Sequence, residues 1–282
     1  MKAQAAIIMT QKKLSACGIS EAKREAELIC AHVLSCHPNQ LFLRREDILS
    51  FEQQKMLQEI VEKRALFYPL QYLLGCQEFM SLDFLVNPAV LIPRWDTERL
   101  VEAAISLFQN KAQALIADIC CGSGAIGISL AHYLPRTQVI LGDISLQALS
   151  VCRQNIRRHG LDDRCHVLHG DLLVPLKEAG IHVDMLISNP PYIKDGELCF
   201  LPPDVLYEPR QALAGGVDGL DFYRRLIDQA PAVLVRGGYL LLETASDQKE
   251  AVQDLLITGG FICRHSINDY GGNHRGIVAV LT

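Results

Sequence analysis

The sequence predicts an α/β fold: a mostly parallel, seven-stranded sheet wrapped by helices and preceded by a small helical region. Three observations carry this reading. From Ala114 onward, short apolar runs alternate with segments of helical periodicity. A glycine-rich turn, Gly122-Ser123-Gly124-Ala125-Ile126-Gly127, joins the first apolar run to the helix after it. Ahead of Gly75, only helical spacing is found. Alternating strand and helix implies parallel strands with helices on both faces.

Taken in order, residues 1–75 read as short helices. Ala26, Ile29, Cys30 and Val33 recur at helical spacing after Ser20, a candidate N-cap, and Ser50 with Gln53 forms a capping-box pattern ahead of Phe51, Leu57, Ile60 and Val61. Residues 76–92 follow as a β-hairpin linker, in which Phe79, Leu82 and Phe84 alternate. The third region, 93–282, opens with Asp96 or Thr97 capping a helix that carries Leu100, Val101, Ala104, Ile105 and Phe108. Strands are expected at 114–117, 139–141, 167–168, 183–187 and 239–242, with two more at 261–267 and 277–281. Helices are expected at 126–134, 145–159 ending at Gly160, and about 221–234. The helical region has two readings, a body that only packs or one that docks substrate, and nothing chemical in it separates them.

Length and charge narrow the function classes. A chain of 282 residues is long enough for a large core and a smaller second body. A formal net charge of −5 and an isoelectric point near 6.0 supply no basic field for nucleic acid. No stretch is long and apolar enough for a membrane span, and the cytoplasm is the expected location. The ten cysteines are scattered without a CxxC pair, as suits reduced thiols. Cys165, His166 and His169 sit on a strand without a second ligand pair, so no metal site is expected.

The glycine turn matches GxGxxG, and Asp143 closes the next strand, a pattern found in dinucleotide-binding folds. Asp118, immediately before the turn, opposes that reading, because a carboxylate there repels a pyrophosphate at the helix N-terminus. S-adenosylmethionine, a cation without phosphate, fits better. Asp118 is expected to face its ammonium group, and Cys120, Cys121, Gly122, Ser123 and Gly124 to form the loop around it. Asp143 is expected to take both ribose hydroxyls, Asp171 the adenine amino group, and Leu172 to pack on the ring. Three carboxylates at three successive strand ends are a more specific signal than any one alone. The fourth strand breaks at Asn189-Pro190-Pro191-Tyr192. The prolines make a stiff corner with free carbonyls, Asn189 adds a side-chain carbonyl, and Tyr192 adds an aromatic face, so a planar NH2 group could donate twice and stack. These features together favour a Rossmann-like S-adenosylmethionine-dependent methyltransferase domain.

The chain resembles the HemK/PrmC family, the N5-glutamine methyltransferases of peptide-chain release factors. The resemblance runs through Pro69 to Gly75, Leu91 to Glu98, Asp118 to Gly124, Asn189 to Tyr192, Glu208-Pro209-Arg210, Asp218-Gly219-Leu220, and Asp269-Tyr270-Gly271 with Arg275. It departs at Cys120, where the family has its first loop glycine, and at Trp95, where a second proline is usual. It implies a release-factor substrate modified at the glutamine of a Gly-Gly-Gln loop, held by the N-terminal helices, with no nucleic acid or membrane partner and a monomeric enzyme. Asn189, Pro190 and Tyr192 would be catalytic, and the substrate would lie against Asn189, Pro190, Pro191, Tyr192 and Arg94. For Arg94 and Glu98, a surface ion pair and a helix-start carboxylate are the competing readings. An adenine-N6 methyltransferase of DNA or RNA would use the same corner, and a noncatalytic S-adenosylmethionine-binding module or a nicotinamide dehydrogenase would share parts of the pattern.

Overall fold

The computed structural model describes residues 1–111 and 113–282 and divides into two units. The first comprises Met1–Gly75 together with Pro202–Tyr207, and the second Cys76–Leu201 with Glu208–Thr282. The hairpin region thus groups with the second unit, and six residues from late in the chain group with the first.

In the first unit, α1 (Ala3–Ala16), α2 (Ala22–Val33), α3 (Phe51–Ala65) and α4 (Leu70–Leu74) bury a core that includes Leu14, Ile29, Leu57 and Val61. The Ser50 hydroxyl accepts from the Gln53 N–H and the Gln53 side chain accepts from the Ser50 N–H, which is the capping box read from the sequence. Ser20 does not cap α2: the helix begins after Glu21, without a side-chain cap. Gly75, with φ of 71°, ends α4 in the left-handed conformation. Arg64 is buried and pairs with Glu25 at 2.7 Å. The Tyr207 hydroxyl donates to the Leu66 carbonyl at 3.2 Å, and its ring meets Tyr68 edge-on, so the late segment is held by specific contacts.

The second unit opens with a hairpin, β1 (Cys76–Phe79) and β2 (Leu82–Leu85), turning through Met80 and Ser81 at φ of 51° and 58°. Positive φ at both central residues is the geometry that matches the twist of the flanking strands. Glu98 accepts from the Met80 N–H at 2.7 Å and so holds the turn. Helix α5 (Trp95–Phe108) starts earlier than the sequence suggests, with Arg94 as its N-cap residue and no side-chain cap; Asp96 and Thr97 lie inside its first turn.

There follow β3 (Ala114–Ile119), α6 (Ala125–Tyr133), β4 (Thr137–Asp143), α7 (Leu146–Arg158), β5 (Cys165–His169), α8 (Val174–Glu178), β6 (Val183–Ser188), α9 (Asp221–Gln229), β7 (Leu234–Glu243), α10 (Lys249–Thr258), β8 (Phe261–Asn268) and β9 (His274–Leu281). Ser145 caps α7 as expected, its hydroxyl accepting from the Ala148 N–H. The sheet order is β5-β4-β3-β6-β7-β9-β8, parallel from β5 to β7, with β9 antiparallel to both neighbours. The chain thus winds outward from β3 to β5 and then returns to place β6 on the other side of β3. Side chains alternate across the sheet: Ile116, Met185 and Ile187 pack with α5, α6 and α7, whereas Ala117, Ile119 and Leu186 pack with α8, α9 and α10. Among the described residues, no helix is long and apolar enough to cross a membrane.

Candidate active site

The switch between β3 and β6 leaves a crevice at the carboxyl ends of the strands, which is where open α/β sheets bind ligands. A cavity of about 340 Å³ lies there, bounded by Ile119 and Cys120 after β3, Gly142 and Asp143 at the end of β4, Gly170 to Leu172 after β5, and Asn189 and Pro191 after β6. Ala89 to Leu91, Pro209, Gln211, Ala212, Phe222 and Arg225 close it.

The glycine turn forms one wall. Asp143 Oδ2 accepts from the Gly122 N–H at 2.9 Å and its Oδ1 from the Ser145 N–H at 2.8 Å, so one carboxylate ties the turn to the start of α7. Burial pushes its carboxyl above the ordinary range against the pull of those two hydrogen bonds. A carboxylate has lone pairs for further donors, so the ribose hydroxyls remain within its capacity. At Gly124, φ is 82° and a Cβ would lie 2.8 Å from both Cys152 Sγ and Ile128 Cδ1, so glycine is required on both counts. Two lining residues without that freedom, Cys120 and Leu172, also adopt positive φ, at 60° and 49°. Left-handed backbone at residues with a Cβ costs roughly 1–3 kcal/mol each and concentrates at ligand sites.

Asp118 lies elsewhere than its position before the turn suggests. Its side chain points to the α6 face of the sheet, wholly buried, where Oδ2 accepts from the Gly127 N–H at 2.8 Å. Oδ1 has no partner among the described residues, and burial pushes the carboxyl up to about 8. Asp118 therefore stands behind the wall and not in it. Cys121, Ser123 and Gly124 are likewise absent from the lining, with Cys121 packed in the core beside Cys152. Asp171 lines the cavity, and Arg225 pairs with it.

The Asn-Pro-Pro-Tyr corner forms the opposite wall, where Asn189 and Pro191 reach the cavity and Pro190 and Tyr192 do not. The corner is held from several directions. Asn189 Nδ2 donates to Thr97 Oγ1 at 3.4 Å, Gln248 Nε2 donates to the Tyr192 carbonyl at 2.9 Å and to the Gly219 carbonyl at 3.2 Å, and Ile193 exchanges backbone bonds with Leu213 and Gly215. Beneath it, Glu243 ends β7 with its side chain buried and Oε2 unpartnered among the described residues. Burial pushes that carboxyl up to about 7, opposed by the Thr97 hydroxyl and the Arg275 charge. Arg94 is not in the lining; it pairs with the buried Glu208, which also accepts from the Ile92 N–H at 3.0 Å and so fixes the loop that carries Val90 and Leu91.

The wall fits S-adenosylmethionine. Among the described lining residues, Arg225 is the one cationic side chain and is already paired with Asp171, so the Asp143 carboxylate leaves an excess of negative charge that suits a sulfonium better than a pyrophosphate. Thr97, Glu243 and Gln248 were missed in the sequence. Glu243 was within reach, because the strand-end rule that singled out Asp118, Asp143 and Asp171 applies equally to the carboxylate closing β7. The sequence marks Thr97 only as a candidate helix cap, and Gln248 carries no signal. No cluster of three or more metal-ligating side chains occurs among the described residues.

Residues 5–75 match the family model described as the PrmC N-terminal domain, and residues 100–201 the model described as the methyltransferase small domain. A release factor glutamine methyltransferase of Moorella thermoacetica is 46% identical over 269 residues, covering 95% of this chain and 94% of its own. One from Clostridium acetobutylicum is 36% identical over 281 residues, with 99% of each chain covered. Among solved structures, a methyltransferase from Pyrococcus furiosus shares the fold with a TM-score of 0.52 at 17% identity, covering 81% of this chain and 96% of that one.

Proposed function

Since the chain belongs to the release factor glutamine methyltransferase family, we propose that it transfers a methyl group from S-adenosylmethionine to the side-chain amide nitrogen, N5, of the glutamine in the Gly-Gly-Gln motif of peptide-chain release factors. The observation that carries this reading is the Asn189 corner facing the Asp143 turn across one cavity. S-adenosylmethionine supplies an electrophilic methyl group on a sulfonium.

This chain supplies orientation. An amide nitrogen is a poor nucleophile because its lone pair is delocalised into the carbonyl. The Asn189 side-chain oxygen and the Pro190 carbonyl accept its two N–H groups, which turns the nitrogen's remaining face toward the cofactor side of the cavity. Pro191 stiffens the corner, and Tyr192, outside the cavity lining, would pack on the amide plane from beyond that wall. Well-oriented approach of this kind supplies roughly 7–11 kcal/mol in favourable cases. The methylated nitrogen loses its proton readily to water, so no general base is assigned. Asp143 would hold the ribose, Asp171 the adenine amino group and Leu172 the ring face, while Cys120 and Gly122 would border the methionine part and Cys121, Ser123 and Gly124 would shape the turn from behind. Asp118 acts from behind the turn, its free oxygen available to a donor that reaches it.

The three-region division at 75 and 92, with residues 1–75 docking the release factor, belongs to the same reading, as do a cytoplasmic location, a monomer, and a protein rather than a nucleic-acid substrate. The net charge of −5 supports the last of these. The test is incubation with S-adenosylmethionine and either purified release factor or DNA, followed by mass spectrometry. One added methyl group mapped to the Gly-Gly-Gln glutamine is expected; methylated DNA with an unmodified release factor would overturn the reading.

A further inference from the structure

We propose that Gln248 is a positioning residue for methyl transfer. It lies outside the cavity lining and sets the direction of the Pro190 carbonyl by pinning the far end of the Asn-Pro-Pro-Tyr corner, a role that deepens the proposed function and rests on it. Gln248 closes the short turn Ser246–Gln248 between β7 and α10 and is buried. Its Nε2 donates to the Tyr192 carbonyl at 2.9 Å and to the Gly219 carbonyl at 3.2 Å, and its Oε1 accepts from the Ala245 N–H at 3.3 Å. A carboxamide nitrogen has two hydrogens, so both are committed to backbone carbonyls, while the oxygen is held by its own turn.

The consequence lies in the backbone of the corner. The chain enters from Ser188, which pairs with Ile119 and Leu242 in the sheet and whose hydroxyl donates to the Ile119 carbonyl at 2.6 Å. It leaves through the peptide between Tyr192 and Ile193, whose carbonyl is held by Gln248 and whose N–H donates to the Leu213 carbonyl at 2.9 Å. Between these fixed points the backbone groups of Asn189, Pro190 and Pro191 make no hydrogen bond among the described residues. Their directions are set by chain closure alone.

Peptide planes are rigid and proline rings fix φ, which leaves both torsions at Asn189, both at Tyr192 and ψ at each proline. Placing one rigid plane against another consumes as many degrees of freedom as that. With both ends pinned, the corner is confined to discrete geometries. With the Tyr192 carbonyl released, the exit plane tips about its remaining N–H bond, and the Pro190 carbonyl swings with it. Gly219 points the same way: its φ is 77°, and a Cβ there would overlap the Tyr192 carbonyl oxygen and lie 2.5 Å from Gln248 Nε2. The two carbonyls converge on one donor because glycine lets them approach. Lys194 and Asp247 also pair between these segments, at 2.8 Å, but both reach solvent, where such a pair contributes little.

The test is steady-state methyl transfer to purified release factor, with calorimetric titration of S-adenosylmethionine and thermal melts that set an assay temperature at which each variant is folded. Gln248→Met keeps length and volume and has no hydrogen to give. It is expected to lower kcat at least about tenfold, with KM for the release factor and cofactor affinity within about threefold, because an orientation-dependent reaction loses on the order of 100-fold for about 1 Å of misplacement. Gly219→Ala, which wedges the same grip apart, is expected to show the same split. The double variant is expected to lose less than the product of the two single effects, since both release one carbonyl. Lys194→Met, which removes the neighbouring ion pair and keeps the grip, is expected to hold kcat within about threefold. A Gln248→Met enzyme with kcat within threefold of wild type, a loss carried by KM or cofactor affinity with kcat held, or a Lys194→Met enzyme as impaired as Gln248→Met overturns the assignment. Gly219→Ala decides by the same criteria where Gln248→Met does not fold. A wild type that modifies no release factor overturns instead the function on which the assignment rests.

Discussion

Gly215 offers a way to move the catalytic corner without touching a residue that meets substrate. Its φ lies outside the left-handed range, so a side chain there meets no torsional objection. The objection is steric and comes from backbone: a Cβ on Gly215 would lie 2.7 Å from Tyr192 Cα, 2.8 Å from Tyr192 C and 2.9 Å from the Pro191 carbonyl oxygen. Ordinary contact begins near 3.4 Å, so Gly215→Ala must displace the Pro191-Tyr192 backbone by about 0.7 Å. Gly215 also donates its N–H to the Ile193 carbonyl at 2.8 Å, which opposes retreat of the glycine strand and directs the strain into the corner. A misplacement of about 1 Å costs on the order of 100-fold in a reaction that depends on orientation, so a fall of roughly 30- to 100-fold in kcat is expected. Cofactor affinity should change less than about threefold, because the Asp143 turn is on the other wall. Overpacking also costs stability, about 1–3 kcal/mol. Steady-state methyl transfer, with calorimetric titration of S-adenosylmethionine and a urea melt, separates these effects. A Gly215→Ala enzyme with kcat within threefold of wild type would refute the idea that corner geometry limits the reaction.

Four further outcomes are expected. Asn189→Ala should abolish methyl transfer and leave cofactor binding mostly intact; normal turnover would remove Asn189 from the chemistry. Asp143→Ala should weaken cofactor binding by at least about tenfold, since it loses both the ribose contact and the anchor of the Gly122 N–H, and unchanged affinity in calorimetry would count against it. At Cys120, where φ is 60°, stability should rank glycine above cysteine above valine, because left-handed backbone costs roughly 1–2 kcal/mol with a Cβ and more with a branched one; denaturant midpoints in any other order would contradict that ranking. Asp118 has a folded carboxyl raised to about 8, above its unfolded value, so its contribution to stability is fully present below about pH 4 and is lost as pH rises toward 8. Asp118→Asn should therefore reduce the fall in unfolding free energy between pH 6 and 8, where each unit is worth roughly 1 kcal/mol in wild type, and equal slopes in the two proteins would exclude this role.

Much of the fold was legible because it rests on local patterns. Strand-helix alternation after Ala114 gave the parallel sheet, and Ser50 with Gln53 and Ser145 marked two helix starts because their caps are made within four residues. What escaped depends on contacts distant in sequence. Asp118 was read as facing a ligand because it precedes the turn, but the period-two alternation of β3 sends its side chain to the α6 face, where Gly127 claims it. Arg94 carries two readings in the sequence, a substrate residue or an ion pair; the structure shows the ion pair, with Glu208 more than a hundred positions away, and Arg94 does not line the cavity. Thr97 looked like a helix cap because β-hydroxyl residues favour that position, and its bond to Asn189 spans 92 residues. The Pro202–Tyr207 segment carries no composition that would assign it to the helical unit; the Tyr207 and Asp204 contacts that do so are visible only in three dimensions.

The Gln248 carboxamide, by gripping the carbonyls of Tyr192 and Gly219 together, cross-ties the two roots of a long connection. The short helical turn at Asp195–Phe200 leaves between those two roots, tied at its start by the Asp195 N–H to the Gly216 carbonyl at 2.9 Å. A side chain at Gly196 would meet open space, and Cys199 is the one exposed cysteine among those described, the others being buried or half-buried. That turn is therefore the place to graft a peptide tag, or to attach a thiol-directed fluorophore that reports on partner encounter and leaves the chemistry undisturbed.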